Sequence, residues 1–506
     1  MTVEMTTRNL TTSLRIKKIA IANRGEVAVR IIHAAQELGI KTLLLHSEVD
    51  TSTRAYRLAD ETACVGPAAT AESYLRIDRN VEAALKHGAD AIHPGFGFLS
   101  ENADFAQAVV KAGMIFVGPK AETIRQLGDK ISAKKIIERA GVPTVPGYAG
   151  DKQDLPTLIA MAEKIGFPVI VKAAAGGGGR GMKVIQSRGE ASELISSAQR
   201  EAKSSFGSEV VFLEKYLDRA KHIEFQVFGD SRGRVVHLFE RECSVQRRHQ
   251  KIIEESLAAR LSEDLRAQMS KAAVQLAETA GYNGAGTVEF LVQDGKFYFL
   301  EMNTRLQVEH PVTEMLLGVD LVKAQILTAA GEFELWPQAS LHPRGHSIEC
   351  RVYAEDPYNR GLPSTGELVG LHWPEGPGRR FEVGIESGDH VTSYYDPMIA
   401  KVIVWDETRS RAIEKMLQVL RETIIFGVKT NIPYLQAILS HADFVSGQMT
   451  TQFIGNYFPE GLKAVELSEL ETKFAAFAIA AASATPRGQS AADPLQIPWS
   501  GPWRNV

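Results

Sequence analysis

The sequence predicts an α/β and α+β protein of several domains, the first of which is built on a parallel β-sheet. Three observations support this fold class. The chain has 506 residues, which is about two to four times the length of a usual domain. From Lys17 onward, short β-rich runs alternate with helical patterns. Further along, strand patterns surround a run of six residues that starts at Gly176 and contains five glycines.

The alternation predicts βαβ units over residues 1–118. A helical pattern covers residues 26–38, and Gly39, Gly88 and Gly113 stand where helices are expected to stop. Strands are predicted at four places: 19–22, 42–46, 91–93 and 115–117. Because helical crossovers join parallel strands, we expect a parallel sheet in this N-terminal domain.

A second domain is predicted over residues 119–344. A helix over 131–139 and a turn rich in Gly and Pro lead into a small lobe, placed at about 145–217. Strands over 169–172 and 182–185 flank the glycine run in this lobe, and strand patterns dominate from 210 to 301. We assign residues 345–460 to an α+β C-terminal domain and residues 461–506 to a helical extension and linker tail.

Composition excludes several classes of protein. No run of roughly 18 apolar residues occurs, so we expect no membrane span. Lys and Arg (57) nearly balance Asp and Glu (61), which argues against non-specific nucleic-acid binding. Cys64, Cys243 and Cys350 are too few and too far apart for a disulfide framework or a zinc knuckle. These observations favour a cytoplasmic protein.

The glycine run is interpreted as a phosphate lid. It satisfies G-x-G-x-x-G, which alone is a weak signal. Residues 182–186 alternate like a strand, where a dinucleotide fold needs a helix, and no P-loop Lys-Ser or Lys-Thr follows. A flexible loop between two strands can close over phosphate oxygens while Lys172 supplies positive charge. The alternative is a mobile surface hairpin.

A hairpin pattern over residues 287–303 presents candidate metal ligands. Glu289 and Glu301 lie on either side of an Asp-Gly turn, and Asn303 follows. A three-residue loop would place both carboxylates on one face, where Mg²⁺ could bridge them. A two-residue loop would place them on opposite faces. The alternative interpretation is a pair of solvated strand glutamates.

Two further segments are dense in charge. The first includes Arg247, Arg248, His249 and Lys251, and the second includes Arg305, Gln307, Glu309 and His310. Either segment alone is more typical of a solvated surface. Beside a metal site, the two together indicate anion binding.

Five motifs together resemble biotin carboxylase. They are HPGFGFLSEN at 93–102, GDK at 128–130, GGGGRGM at 176–182, ERECSVQRRHQK at 240–251 and EMNTRLQVEHPVTE at 301–314. They are gapless, keep the order of the family, and lie in a resemblance that covers about residues 16–458. The resemblance implies an ATP-grasp central domain with a glycine-rich lid subdomain. It also implies a ligase that uses ATP and bicarbonate to carboxylate biotin through carboxyphosphate, the first half-reaction of an acyl-CoA carboxylase.

The matching positions imply three groups of binding residues. Residues that would bind ATP are Lys130, Lys172, Gly176, Gly177, Gly178, Gly179, Glu214, Lys215, Leu217, His222, Gln246, His249 and Leu291. Residues that would bind Mg²⁺ or Mn²⁺ are Glu289, Glu301 and Asn303. Residues that would bind bicarbonate are Lys251, Arg305, Gln307, Val308 and Glu309.

The resemblance also implies catalytic roles. Glu309 would be the general base, while Lys251 and Arg305 hold bicarbonate in line with the γ-phosphate. Arg351 would stabilise the enolate of biotin, and Phe96 would contact biotin. Two positions depart from the family pattern, which usually has Tyr at Phe96 and Phe at Gly361; the sequence offers no account of Gly361. Cys243, in the same motif as Lys251, is as well explained by a buried structural thiol.

The implied partners are a biotin carrier protein or domain, a carboxyltransferase subunit and a second copy of the chain or a larger assembly. A carrier's Ala-Met-Lys-Met sequence does not occur, and the one Met-Lys pair, Met182 and Lys183, leads into a strand. Trp499 and Trp503 in the tail resemble the lead-in to a further domain and are expected to dock. The alternative functions are another ATP-grasp ligase that joins a carboxylate to an amine, and a regulatory pseudoenzyme.

Overall fold

The computed structural model describes residues 15–173, 182–248 and 250–463, together with residues 470, 473, 474 and 476. The chain divides into two units, Met1–Gly461 and Leu462–Val506, and the sheets of the fold lie in the first. The expected lid glycines, His249 and nearly all of the expected tail, with Trp499 and Trp503, lie outside the described residues. The three domains expected within residues 1–460 fall into one unit, so their boundaries stay predictions.

Five parallel strands form the first sheet, in the order β3-β2-β1-β4-β5. The strands are β1 (Lys18–Ile21), β2 (Lys41–Ser47), β3 (Glu61–Gly66), β4 (Ala91–His93) and β5 (Ile115–Phe116). The helices between and after them are α1 (Gly25–Glu37), α2 (Arg54–Leu58), α3 (Ile77–Lys86), α4 (Ala103–Lys111) and α5 (Ala121–Gly128). The predicted parallel sheet is confirmed, with β3 as a further edge strand. The strand order changes direction between β1 and β4, so the loops after these strands border one crevice.

A small antiparallel sheet follows, in the order β6-β9-β7-β8. Its strands are β6 (Gly147–Tyr148), β7 (Val169–Ala173), β8 (Met182–Ile185) and β9 (Val211–Lys215). Helix α6 (Lys130–Ala140) precedes this sheet and packs against α5 and the later helix Glu263–Thr279, whereas α7 (Leu155–Ile165) and α8 (Arg188–Phe206) pack against the sheet itself. Buried apolar residues of α7, α8 and these strands form one core. The strands expected on either side of the glycine run are therefore confirmed as β7 and β8.

Eight antiparallel strands form the largest sheet, in the order β14-β13-β10-β11-β12-β15-β22-β20. Its strands are β10 (Lys221–Gly229), β11 (Val235–Arg247), β12 (Gln250–Ser256), β13 (Gly284–Gln293), β14 (Lys296–Asn303), β15 (His346–Tyr353), β20 (Arg379–Val383) and β22 (Met398–Asp406). On one face, Phe225 and Phe290 pack in a core with Met269 and Leu276 of α9 (Glu263–Thr279). The polar residues of the same strands therefore point to the other face, because side chains alternate along a strand.

The remaining elements complete this unit. Three two-stranded pairs are β16 (Glu355–Asp356) with β17 (Leu362–Pro363), β18 (Gly366–Glu367) with β21 (His390–Val391), and β19 (Gly370–His372) with β23 (Ile424–Phe426). The other helices are α10 (His310–Leu317), α11 (Leu321–Ala330), α12 (Arg409–Glu422), α13 (Ile432–Leu439), α14 (Ala442–Val445) and α15 (Phe453–Tyr457). Helix α10 packs against β11, β12, β15 and β22. Within the described part of the chain, no helix is long and apolar enough to span a membrane.

Candidate active site

A row of charged side chains crosses the polar face of the eight-stranded sheet. Glu301, Glu289, Glu224 and Arg241 stand directly opposite one another in β14, β13, β10 and β11. Opposite residues of paired strands point to the same side of the sheet. These four residues, called the charged row, therefore face one another across four strands, and the first two were predicted metal ligands.

The hairpin of β13 and β14 brings Glu289 and Glu301 together through a β-bulge. A two-residue loop, Asp294 and Gly295, joins the strands, and both residues have positive φ (51° and 73°). That loop alone would place the two carboxylates on opposite faces. Leu300, however, is an extra residue on one strand, and the bulge restores the pairing of Glu289 with Glu301. The shared face is thus observed, but the three-residue loop is wrong as its cause.

Lys251 of β12 joins three carboxylates at the centre of the site. Its Nζ donates to Glu309 Oε1 at 2.7 Å, to Glu289 Oε1 at 2.9 Å and to Glu224 Oε2. Only 12% of the lysine side chain is exposed. Burial works to lower the pKa of Lys251, but the three carboxylates outweigh it and raise that pKa well above its usual value. The lysine is therefore a fixed positive charge.

The carboxylate of Glu289 accepts hydrogen bonds from several of the predicted site residues. Its Oε1 also accepts from Asn303 Nδ2 at 2.9 Å and from Gln307 Nε2 at 2.8 Å. Its Oε2 lies 2.8 Å from His222 Nε2. Burial opposes ionisation, yet Lys251 and His222 hold the pKa of Glu289 well below its usual range. Glu289 is consequently an anion at neutral pH.

Two of the predicted ATP-binding residues extend this network. Gln246 Nε2 donates to His222 Nδ1 at 2.6 Å and to the Cys243 carbonyl oxygen at 2.8 Å. Nδ1 of His222 therefore accepts, and its Nε2 lies on the side of Glu289. His222 and Gln246 are therefore joined to a predicted metal ligand.

The end of the hairpin fits a hard divalent cation. Burial and then the neighbouring Glu289 carboxylate raise the pKa of Glu301. A cation between the two carboxylates would relieve that repulsion. Asn303 adds an amide oxygen, which accepts from Arg305 Nη2 at 3.0 Å. Carboxylate and amide oxygens are ligands that Mg²⁺ and Mn²⁺ prefer.

Glu309 lies between two cations at the start of α10. Besides its bond from Lys251, its Oε2 accepts from Arg351 Nη2 at 2.8 Å. Arg351 also donates through Nε to Glu254 Oε1 at 2.6 Å. Burial opposes ionisation of Glu309, but Lys251, Arg351 and Arg241 hold its pKa well below the usual range. Glu254 differs, because burial raises its pKa to about 7 despite Arg351.

Arg241 is a residue of the site that the sequence patterns did not single out. Its side chain is fully buried, and each of its five N–H groups has an acceptor. The acceptors are side-chain oxygens of Glu224, Gln226, Thr287, Gln307 and Thr313. The alternation of polar and apolar residues in His222-Ile223-Glu224-Phe225-Gln226 was the signal that could have located this buried polar face.

Arg305 and Val308 lie in the loop that precedes α10. Arg305 donates to Glu101 Oε2 at 2.9 Å as well as to Asn303. It therefore links this loop to the segment that follows β4 of the parallel sheet. The carbonyl oxygen of Val308 accepts from Lys401 Nζ at 2.8 Å. Four of the five predicted bicarbonate residues thus lie in one loop, and the fifth, Lys251, contacts this loop through Glu309.

The predicted ATP residues of the smaller sheet form contacts of their own. Lys172 and Glu214 are paired with each other across β7 and β9. Lys215 donates to the carbonyl oxygens of Gly166 and Phe167 at 2.9 and 2.8 Å, so it braces the turn before β7. Leu217 is half-buried in the segment that leads from β9 to β10.

The other predicted ATP residues make fewer described contacts. Leu291 is half-buried and stands opposite His222 in the large sheet. Lys130 begins α6, but its side chain lies outside the described part of the structure. The expected lid glycines and His249 are outside it altogether. Their roles stay predictions.

Phe96 is held in the crevice between β1 and β4. The side-chain amide of Asn23 donates to the carbonyl oxygens of Pro94 and Phe96, each at 2.7 Å. A Cβ atom at Gly95 would lie 2.8 Å from that amide nitrogen, so the close approach requires glycine. The ring of Phe96 lies 5.9 Å from Lys401 Nζ, measured to its centroid.

The structure accounts for Gly361. Its φ is +68°, and a Cβ atom there would lie 2.1 Å from Nη1 of Arg247. Arg247 forms an ion pair with Glu355 of β16. The missing side chain at position 361 therefore gives Arg247 the room in which it pairs with Glu355.

Cys243 is a buried thiol of the same face. Its Sγ and the carboxylate oxygens of Glu224 and Glu309 all lie within 4.8 Å of one another. Burial, followed by the charge of Glu224, raises the pKa of Cys243 well above its usual value. The protonated thiol fits the structural interpretation better than a nucleophilic one.

Three sequence families match consecutive parts of the chain. Residues 15–124 match the biotin carboxylase N-terminal domain, 129–334 the ATP-binding domain of the carbamoyl-phosphate synthase L chain, and 349–456 the biotin carboxylase C-terminal domain. The biotin carboxylase of Haemophilus influenzae is 48% identical over 440 residues, which are 87% of this chain and 98% of that protein. The chain belongs to the biotin carboxylase family. The expected ATP-grasp architecture is confirmed with it.

Solved structures of biotin carboxylases share this fold. A biotin carboxylase of Campylobacter jejuni matches with a TM-score of 0.83 and 44% identity over 87% of this chain and 99% of that chain. The biotin carboxylase domain of 2-oxoglutarate carboxylase from Hydrogenobacter thermophilus, solved as a dimer with MgADP, ADP and bicarbonate, matches with a TM-score of 0.83 and 43% identity over 90% of this chain and 100% of that chain.

Some relatives are longer. The mitochondrial methylcrotonoyl-CoA carboxylase subunit α of Dictyostelium discoideum is 48% identical over 451 residues, 88% of this chain. The chain spans 64% of that relative and 61% of its soybean (Glycine max) counterpart. Biotin carboxylase regions thus occur both as whole proteins and as parts of larger chains.

Replacing Arg241 by Met is expected to lower the free energy of unfolding by about 3–5 kcal/mol, because it leaves buried acceptors without donors. Combining it with Glu224→Gln is expected to recover part of this loss, since the double variant removes the opposing charge as well. Urea unfolding measures both. The control is Arg234→Met, which removes an arginine that is 57% exposed and paired with Asp230. Equal, small losses in Arg241→Met and Arg234→Met would contradict the account.

Proposed function

We propose that this protein carboxylates biotin with ATP and bicarbonate, as its family relationship implies. The observation that carries the proposal is the position of Glu309, a buried carboxylate held between Lys251 and Arg351. One carboxylate is thus placed beside both the cation proposed for bicarbonate and the cation proposed for biotin. The bicarbonate and MgADP bound to the Hydrogenobacter thermophilus domain support the same assignment.

Bicarbonate binding is assigned to the loop before α10 and to Lys251. Lys251, Arg305 and Gln307 supply N–H donors, and they are connected through Glu289 and Asn303. Within the described ranges, the backbone N–H groups of Val308 and Glu309 have no hydrogen-bond acceptor. Neighbouring free N–H groups beside cations form a suitable cradle for a small anion.

Glu309 acts as the general base in this proposal. Its low pKa keeps it ionised, which a base requires, but makes it a weak base by itself. An anion bound beside it would raise that pKa, because like charges disfavour ionisation, and would compete for Lys251 and Arg351. The substrate therefore strengthens the base that acts on it.

In this proposal, Mg²⁺ or Mn²⁺ binds at the charged row. ATP binds beside it, to residues of the large sheet and of the smaller sheet. Glu289, Glu301 and Asn303 would hold the metal ion, which neutralises charge on the phosphates of ATP. His222 and Gln246 lie beside these ligands and would contact the nucleotide. Transfer of the γ-phosphoryl group to bicarbonate then gives carboxyphosphate, which supplies CO₂ and phosphate for the second step.

In this proposal, biotin binds next to Arg351 and Phe96. The guanidinium group of Arg351, shared by Glu254 and Glu309, would stabilise the enolate oxygen that forms when biotin gives its N1′ proton to the phosphate released from carboxyphosphate. The N1′ atom then attacks CO₂. The ring of Phe96 provides an apolar contact without a hydroxyl group. An ATP-grasp ligase that joins a carboxylate to an amine is disfavoured, because residues 349–456, which contain Arg351, match the biotin carboxylase C-terminal domain.

The decisive test is Glu309→Gln, which keeps the shape of the side chain and removes the base. We expect biotin carboxylation to fall by about two to four orders of magnitude, with the affinity for ATP little changed. ADP release is measured with bicarbonate present or absent, and with free biotin as acceptor. Glu278→Gln, which changes an exposed glutamate of α9, is the control. Near-normal carboxylation by Glu309→Gln would remove Glu309 from the mechanism.

Arg351→Ala is expected to affect the second step more than the first, because the enolate exists only in the second. Biotin carboxylation should fall at least about tenfold further than bicarbonate-dependent ATP cleavage without biotin. The exposed Arg344 provides the control substitution, Arg344→Ala. Equal losses in the two assays would refute this division of labour.

The acceptor biotin is proposed to be attached outside residues 1–506, on a carrier protein or domain that works with a carboxyltransferase subunit. A homodimer or larger assembly is proposed with them, since the Hydrogenobacter thermophilus domain is a dimer. When the 506-residue chain is produced with a biotin ligase, a streptavidin blot is expected to show no band at its size. A separate biotinylated carrier is expected to be a better substrate than free biotin. A biotinylated band at the size of this chain would contradict the proposal.

A further inference from the structure

Lys401 is a fully buried lysine beside the site. It lies in β22, directly opposite Arg351 of β15, and none of its side chain is exposed. Its Nζ donates to the Val308 carbonyl oxygen at 2.8 Å and lies 3.1 Å from Glu26 Oε2. Burial of an ammonium group is strongly unfavourable without such partners. The lysine therefore joins three separate segments: β22, α1 and the loop before α10.

The bond from Lys401 fixes one peptide unit of that loop. In a planar trans peptide the C=O and N–H groups point in opposite directions. Because the Val308 carbonyl points to Lys401, the N–H group of Glu309 points away from it. That N–H group, like that of Val308, has no acceptor among the described residues.

His310 fixes the preceding peptide unit in the same way. Its Nδ1 lies 2.8 Å from the carbonyl oxygen of Gln307. Burial, and then the charge of Lys401, hold the pKa of His310 well below its usual value, so the ring is neutral and Nδ1 donates. The N–H group of Val308 consequently points away from the histidine. Lys401 thus holds the carbonyl group of Val308, and His310 holds that of Gln307. The two carbonyl groups belong to consecutive peptide units.

We propose that Lys401 is a positioning residue for the anion: together with His310, it orients the backbone N–H groups of Val308 and Glu309 so that they are free to bind bicarbonate. This inference rests on the function proposed above. It gives Lys401 no contact with substrate. Its effect is transmitted through the Val308 carbonyl group, so it should appear in the binding of bicarbonate and not in the binding of ATP.

Lys401 can be replaced without leaving an unpaired buried charge, because of the properties of its ion-pair partner Glu26. Both carboxylate oxygens of Glu26 are buried, and Lys401 is its ion-pair partner. Burial raises the pKa of Glu26 to about 7, although Lys401 acts to lower it. Without Lys401 the carboxyl group is therefore protonated at neutral pH. Lys401→Met consequently leaves no isolated buried charge, and Lys401→Met with Glu26→Gln removes the titratable pair completely.

The test is steady-state kinetics of Lys401→Met in the 506-residue chain. The KM for bicarbonate is expected to rise about tenfold to a hundredfold, which corresponds to the loss of one charge-assisted hydrogen bond. The KM for ATP and the midpoint of thermal unfolding are expected to stay near those of the wild type. Lys415→Met is the matched control, because Lys415 also bonds a carbonyl, that of Trp405 at 2.8 Å, and an acid, Asp406 at 2.9 Å, away from the site.

Two outcomes would overturn the inference. One is a KM for bicarbonate in Lys401→Met that equals that of Lys415→Met. The other is a parallel loss in both KM values together with a lower unfolding midpoint, which would make Lys401 a structural residue only. If Lys401→Met does not fold, the double variant with Glu26→Gln is measured by the same criteria. The proposed function fails separately, if the wild type shows no bicarbonate-dependent ATP cleavage.

Discussion

The contact of Lys251 with three carboxylates is the interaction on which the rest of the site depends. Glu224 and Glu289 come from two strands of the large sheet, and Glu309 comes from the loop above them. Three buried carboxylates so close together would repel one another and take up protons without a central cation. The lysine therefore determines the shape of the site and acts to lower the pKa of all three acids, although burial still raises the pKa of Glu224 above its usual value.

The sequence could predict local features of this arrangement. The strands beside the glycine run, the parallel sheet and the hairpin with its two glutamates all follow from patterns within a few residues. The pairing of Glu289 with Glu301 does not, because it depends on a bulge at Leu300 that the alternation of residues does not reveal. A prediction based on loop length alone would have separated these two carboxylates.

Arg241 and Lys401 were missed for a different reason. Lys401 is a charged residue within a largely apolar strand, and Arg241 lies in a strand with several other polar residues. The partners of both are distant in the sequence: Gln307 and Thr313 for Arg241, and Glu26 for Lys401. Their importance depends on the register between strands and on how α1 and α10 cover the sheet, which no single stretch of sequence contains. A buried-strand pattern interrupted by a charge is nevertheless a usable signal, since such a charge must be paired.

The geometry around Lys251 also indicates how the proposed bicarbonate ion would bind at a site whose charges are already paired. An ammonium group has three donors, and in this site all three are in use. A bicarbonate ion that takes one of them must displace a carboxylate. Glu224 and Glu289 are fixed within paired strands, whereas Glu309 belongs to the loop before α10. Under the proposed function, the Glu309 side chain would therefore be the one that is displaced, and without its bond from Lys251 its pKa would be higher, which favours proton transfer.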